Sequence, residues 1–131
     1  MRNQKEYKLS EKERSYIREY FQKNKRPFVY SFRNKRTGKT YYGASNTATT
    51  IRKARHLTNL RKNRHTNPRM QADFNHELNK ESDWVFEILH VCKSVNQMNR
   101  VEAWYLINNV GADSCYNEKM SGHEPLAPED L

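Results

Sequence analysis

Tyr30, Tyr41 and Tyr42 flank the cationic run of VYSFRNKRTGKTYYG, residues 29–43, in a chain with only eight tyrosines. Aromatic rings beside cations can stack on bases, fill a core, or set phenol hydroxyls next to phosphate. Arg52 and His56 are four residues apart, which on a helix puts them on one face about 6 Å apart along the axis. Glu102 stands among Met98, Val101, Tyr105 and Leu106. Periodicity alone favours a solvated stripe there over a partly buried functional carboxylate. Between Arg52 and Arg69 lie Lys53, Arg55, Arg61, Lys62 and Arg64 with no acid, the best candidate for a surface that tracks phosphates. Within it, His65 and Asn67 read either as a turn plus helix cap or as contacts to a nucleic-acid backbone.

The charge is placed unevenly. Residues 1–69 hold 20 Lys/Arg against 4 Asp/Glu, and residues 70–131 hold 4 against 11. A basic half of that density points to a polyanion, because neutralised phosphates release condensed counterions; the plainer alternative is a solvated basic face. At 131 residues the chain is expected to form one domain with a modest core. It has no apolar run long enough for a membrane span and no signal-peptide core at its N-terminus. The two cysteines, Cys92 and Cys115, do not make a disulfide framework and read as buried free thiols. A soluble, intracellular protein is expected.

Ser10 and Glu13 have capping-box spacing ahead of Tyr16, Ile17, Tyr20 and Phe21, which predicts a helix over about 10–24. FVYSF and TYYGA, separated by turn residues that include Gly38, predict a β-hairpin. SNTATT offers cap formers to a helix over about 47–62, with Ala48, Ile51, Ala54 and Leu57 near one face. Asn67 and Pro68 suit the cap and first turn of another helix, along which Met70, Phe74 and Leu78 recur every four residues. DWVFEILHV reads as a third strand. A last helix opens at Ser94 and ends at Gly111, a C′ glycine. Trp84 and Trp104 are expected in the core, and GHEPLAPEDL is expected to fray. The fold class is α+β: a small three-stranded, mostly antiparallel sheet flanked by helices, with an N-terminal helical extension. The expected divisions are 1–26 for that extension, 27–118 for the central domain and 119–131 for a flexible acidic tail.

VYSFRNKRTGKTYYG, then IRKARHLTNLRKNRHTNPRMQ, VFEILH, VEAWYLI and CYN, resemble in order and near-matching spacing the motifs of the GIY-YIG endonuclease family. The likeness runs from Val29 to Asn117 and is nearest in character to phage and intron homing nucleases. Carried over by position, Tyr30 matches the tyrosine of GIY, and Tyr41 and Gly43 the tyrosine and glycine of YIG. Arg52 matches the helix arginine, His56 and His65 two recurring histidines, Glu102 the metal-binding glutamate and Asn117 the late asparagine. Phe28 replaces the first glycine, Val29 the isoleucine, and Tyr42 the middle residue of YIG. The interval from Gly43 to Arg52 is about one residue longer than in the homing enzymes, so Lys53 and Arg55 stand as alternatives to Arg52.

What the resemblance implies is a metal-dependent DNA endonuclease, of a free-standing homing-like or nicking kind. A single Mg²⁺ or Mn²⁺ would be held by Glu102, since such ions keep most of their waters and need few protein ligands. Arg52 would fork onto phosphate oxygens. A free phenol is only about 0.1% ionised at pH 7, so a tyrosine base needs cations beside it. The expected assignment is Tyr30 as general base, helped by His56, with Tyr41 orienting the water. Tyr42, on the other strand face, is expected to pack. Gly43, Lys53, Arg55, Arg61, Lys62, Arg64, His65, Asn67, Arg69 and Asn117 make up the expected DNA-binding set. Lys12, Arg14 and Arg18 of the first helix extend that surface or merely cap the fold. The expected partner is double-stranded DNA, with target specificity either low, built from a homodimer, or supplied by a second protein. Two alternatives stay open: a structure-selective repair or recombination nuclease, and a non-catalytic nucleic-acid-binding protein on the same fold.

Overall fold

Phe28–Asn34 form β1, the middle strand of a three-stranded sheet ordered β2-β1-β3, with β2 at Thr40–Ser45 and β3 at Trp84–Val91. The computed structural model describes residues 10–24 and 26–131. Residues 1–9 and Lys25, like the side chains of Arg18 and residues 20–24, lie outside the described residues, and with them part of the expected N-terminal extension. Both strand pairs are antiparallel, so the α+β expectation holds and the sheet proper has no parallel pair. A parallel bridge, Thr40 to Cys115, adds a short piece of chain to the β2 edge.

Alternation along β1 divides the core. Phe32 joins Leu60, Met70, Trp84 and Tyr116 on one face, with Tyr41, Leu57, Phe74 and Phe86 packed against them. Val29 joins Cys92, Met98 and Val101 on the other, with Ala44, Leu89, Tyr105 and Leu126. The first face is covered by α2 (Thr49–Arg61) and α3 (Pro68–Phe74), the second by α4 (Val95–Asn109). A strand buried on both sides suits FVYSF, where nearly every position is apolar or aromatic. The hairpin turns at Gly38, whose φ of +74° is open to glycine at little cost.

The local signals act as capping chemistry predicts. Ser10 Oγ accepts from the Glu13 amide while Glu13 Oε1 accepts from the Ser10 amide, opening α1 (Glu11–Asn24). Asn67 accepts from the Met70 amide at the start of α3, and Ser94 from the Gln97 amide at the start of α4. At the end of α2, Asn63 takes φ +56°, and the Asn63 and Arg64 amides reach back to the Leu60 and Asn59 carbonyls. That is a Schellman closure with Asn in place of Gly.

Several expectations are corrected. No side chain caps α2: Ala48 is at the N-cap, because Ser45 and Thr47 bond each other. α3 stops at Phe74 and leaves Leu78 exposed. Asn75 turns the chain by bonding Gln71 and Asn63, and Asn79 is needed as acceptor for the Trp84 indole. Gly111 is the C′ glycine expected, with φ +96° after the C-cap Val110; only the form of the stop differs, since Val110 is extended and the Ala112 amide bonds the Asn109 carbonyl in a type II turn. Trp104 is only half-buried, unlike Trp84. The tail expected to fray is anchored, with Leu126 against the α4 face of the core and its amide on the Arg100 carbonyl. Cys92 and Cys115 are free and buried.

Candidate active site

The sheet brings Tyr30 and Tyr41 to the α2 face, their rings 6.3 Å apart. Tyr30 is fully buried, stacked on Phe86 of the neighbouring strand with centroids 4.6 Å apart. Its phenol lies across the backbone of its register partner Gly43. A Cβ at Gly43 would come 2.4 Å from both Cζ and Oη of Tyr30, so only glycine admits the ring. That accounts for Gly43 better than the DNA contact expected of it.

From α2, Arg52 Nε donates to Tyr30 Oη at 3.0 Å and His56 Nε2 lies 2.6 Å from the same oxygen. The two side chains fall together because they are one turn apart, as their spacing predicted. His56 Nδ1 meets His65 Nε2 at 2.8 Å, and the Asn67 amide donates to His65 Nδ1 at 3.0 Å. Burial keeps both imidazoles neutral. It pulls His56 down to about 3, with the Arg52 charge and His65 adding to the effect, and it lowers His65 in the same way. The phenols move oppositely. Burial raises Tyr30 against the pull of Arg52, and raises Tyr41 against the Arg52 charge and a hydrogen bond with Tyr30.

Glu102, half-buried on α4, has no hydrogen bond or ion pair among the described residues, yet its charge acts on both phenols. Burial raises its carboxyl, offset by His123 and Arg52. Periodicity favoured a solvated stripe; half-burial is the other outcome. A carboxylate withdrawn from water without donors of its own is a fitting single ligand for a hard divalent ion that retains its waters. Among the described residues no three His, Cys, Asp or Glu side chains converge, so the donor set fits Mg²⁺ or Mn²⁺ better than zinc.

Beside Tyr41, which keeps part of its surface exposed, a pocket of about 230 Å³ is lined by Thr66, Asn67, Pro68, Asn117, Glu118 and Lys119. Tyr42, on the opposite face, stacks on Tyr105 at 5.2 Å.

The expected DNA-binding set separates in two. Lys53, Arg55, Lys62 and Arg64 are exposed along α2 and its end. The others are engaged within the fold. Arg61 pairs with Glu81 at 2.6 Å. Arg69 donates to the carbonyls of Cys115 and Asp113. Asn67 caps α3 and donates to the Tyr116 carbonyl, and His65 is held between His56 and the Asn67 amide. Asn117 imitates a neighbouring strand: its Oδ1 accepts from the Tyr42 amide and its Nδ2 donates to the Tyr42 carbonyl, both at 2.8 Å. Sequence reasoning missed Thr66, Glu118 and Lys119, exposed polar residues without a periodic signature.

No protein-family model matches the chain, and no curated protein matches it in sequence. In structure it is similar to the catalytic domain of homing endonuclease I-TevI. The TM-score is 0.60 at 20% identity, over 71% of this chain and 98% of that one. The two share a fold. Among the described residues no helix is long and apolar enough to cross a membrane.

Proposed function

We propose that this chain is a metal-dependent DNA endonuclease of the GIY-YIG type, hydrolysing phosphodiester bonds with one Mg²⁺ or Mn²⁺ held by Glu102. The observation that carries the reading is the convergence of Tyr30, Tyr41, Arg52 and His56 in one cluster within electrostatic reach of Glu102, a carboxylate with no hydrogen bond among the described residues. The shared fold with a homing endonuclease catalytic domain supports it.

When bound, the ion would polarise a phosphoryl oxygen, stabilise the leaving oxygen and offset the Glu102 charge, which adds to burial in raising both phenols. Arg52, with Nε on Tyr30, has further donors on its guanidinium fork for the phosphate. Tyr41 borders the open pocket, whereas Tyr30 is wholly buried. This supports Tyr41 as the phenol at the attacking water and Tyr30 as the group behind it, an exchange of the roles expected from sequence. The water oxygen bonds to phosphorus as the bond from phosphorus to the leaving oxygen breaks; the tyrosine pair, after releasing one phenol proton to solvent, takes the water proton, and the leaving oxygen takes a proton from solvent. Lys53, Arg55, Lys62 and Arg64 hold the duplex backbone without reading its sequence. One such site cuts one strand at a time, so a double-strand break takes a homodimer or two successive cuts.

The test is cleavage of supercoiled plasmid by wild type and Glu102→Gln with Mg²⁺, with Mn²⁺ and with chelator, alongside a gel shift. The expected outcome is a chelator-sensitive cut reduced roughly 10²–10³-fold in the variant with binding kept. Equal cleavage by both proteins removes Glu102 from its role. Salt-steep binding without any cleavage makes the chain a binding protein on a nuclease fold.

A further inference from the structure

The hydrogen bonds that reach Tyr30 through the two histidines have only one possible direction. A backbone N–H can donate and never accept. The Asn67 amide, 3.0 Å from His65 Nδ1, therefore requires that nitrogen to be bare. A neutral imidazole carries one proton, so His65 holds it on Nε2 and gives it to His56 Nδ1, 2.8 Å away. His56 Nδ1 is then an acceptor, and its proton is on Nε2, 2.6 Å from Tyr30 Oη. The two imidazoles lie within 19° of parallel with centroids 5.1 Å apart, as rings do when they meet edge to edge through an in-plane N–H. Reversing the order would aim an Nδ1–H of His65 at the amide proton of Asn67, and the peptide has no second tautomer with which to yield.

We propose that His65, oriented by the Asn67 amide, is a positioning residue that locks His56 as a hydrogen-bond donor to Tyr30. His56 therefore does not take a proton from that tyrosine. With Arg52 Nε also donating, the Tyr30 oxygen receives two donors before any substrate arrives, an arrangement that favours the charged phenolate when it forms. The phenol's own proton has its outlet on the side of Tyr41, whose ring is 6.3 Å away. His65 thus acts through His56 and Tyr30 and touches neither phosphate nor water. This deepens the nuclease reading and rests on it for its catalytic consequence, while the bond order itself does not.

The test begins with nitrogen-15-labelled histidine in the wild-type protein near pH 7.5, using long-range proton–nitrogen correlation to read which ring nitrogen of each imidazole carries hydrogen. Both His56 and His65 are expected as the Nε2–H form. His56 found as the Nδ1–H form, or as a mixture, overturns the proposal. Next come His65→Leu and His65→Gln, the second of which keeps an N–H able to reach His56. In His65→Leu the His56 signal is expected to become a tautomer mixture. The single-turnover cleavage rate is expected to fall about 10–100-fold, the effect typical of losing an outer partner of a site, with DNA affinity unchanged. His65→Gln is expected to restore the Nε2–H form and most of the rate. A rate loss in both variants with the His56 tautomer unmoved leaves His65 a packing residue and overturns the positioning role. Wild type with the expected tautomers and no cleavage on any duplex defeats the nuclease reading alone.

Discussion

Two buried tyrosines on the α2 face of the sheet show how similar burial leads to different chemistry. Tyr116 donates to Asp73 Oδ2 at 2.7 Å and accepts from Asn34 Nδ2 at 3.2 Å. Thr37 lies 3.3 Å from the same hydroxyl, and Lys39 pairs with Asp73 at 3.8 Å. Burial pushes this phenol up to about 12, and its hydroxyl keeps its proton and donates it to a neighbouring carboxylate. Its hydrogen-bonding capacity is spent inside the fold, tying the hairpin turn to α3. Tyr30 is as deeply buried but faces the guanidinium of Arg52 and the imidazole of His56, and among the described residues no carboxylate accepts from it. A tyrosine whose proton is accepted locally braces the structure. One whose oxygen is surrounded by donors is prepared to carry charge. Asn67 joins the two regions, sending its amide to His65 and its side chain to the Tyr116 carbonyl.

The contrast can be broken most severely at Gly43. Gly43→Ala is expected to drive the Tyr30 ring from its seat, lowering stability by about 1–3 kcal/mol as overpacking does. A displacement near 1 Å would slow cleavage on the order of 10²-fold; thermal melts and single-turnover rates check both. The matching change in the other region is Asp73→Ala, which leaves the Tyr116 hydroxyl without its acceptor. It is expected to lose about 1–3 kcal/mol while the cleavage rate of the folded protein stays within a few-fold.

Acid sharpens the comparison, because the Tyr30 region contains His56, the buried histidine among the described residues. His56 binds its proton near 6.5 when unfolded and near 3 when folded. Between those values the unfolded state holds more protons, so stability rises with pH and falls on acidification through that window. The slope is bounded at roughly 1.4 kcal/mol per pH unit for one such group. Denaturant melts from pH 7 to pH 4 should show it, with a shallower slope in His56→Gln; equal slopes would remove the histidine from the acid response. The smallest effect is expected at Arg61→Ala. Its partner Glu81 is exposed, and such pairs contribute about 1 kcal/mol or less, so a larger loss in melts would mean that Arg61 has another contact.

The parts legible in sequence were those set by local chemistry. The hairpin followed from two aromatic, β-branched runs around turn residues, α3 and α4 from the caps Asn67 and Ser94, and the Arg52–His56 pairing from a four-residue step. Less legible were positions whose meaning depends on a distant partner. Asn117 looked like a polar ligand residue because nothing local reveals that its amide will clasp the Tyr42 backbone, 75 residues away. His65 and Arg69 looked like phosphate contacts for the same reason. α3 was read as continuing toward Leu78 because the apolar spacing persists, although Asn75 and Asn79 are drawn into tertiary hydrogen bonds that end it. Glu102 was ambiguous because a helical acid among apolar neighbours is buried or solvated according to how the helix docks.

The most direct measurement compares Tyr30→Phe with Tyr116→Phe. Each loses one hydroxyl and leaves buried polar partners behind, so each is expected to lower stability by about 1–3 kcal/mol. With both folded, single-turnover cleavage of the same DNA should fall by about 10² or more in Tyr30→Phe and by no more than a few-fold in Tyr116→Phe. Comparable rates in the two variants would contradict the division between a braced tyrosine and a poised one.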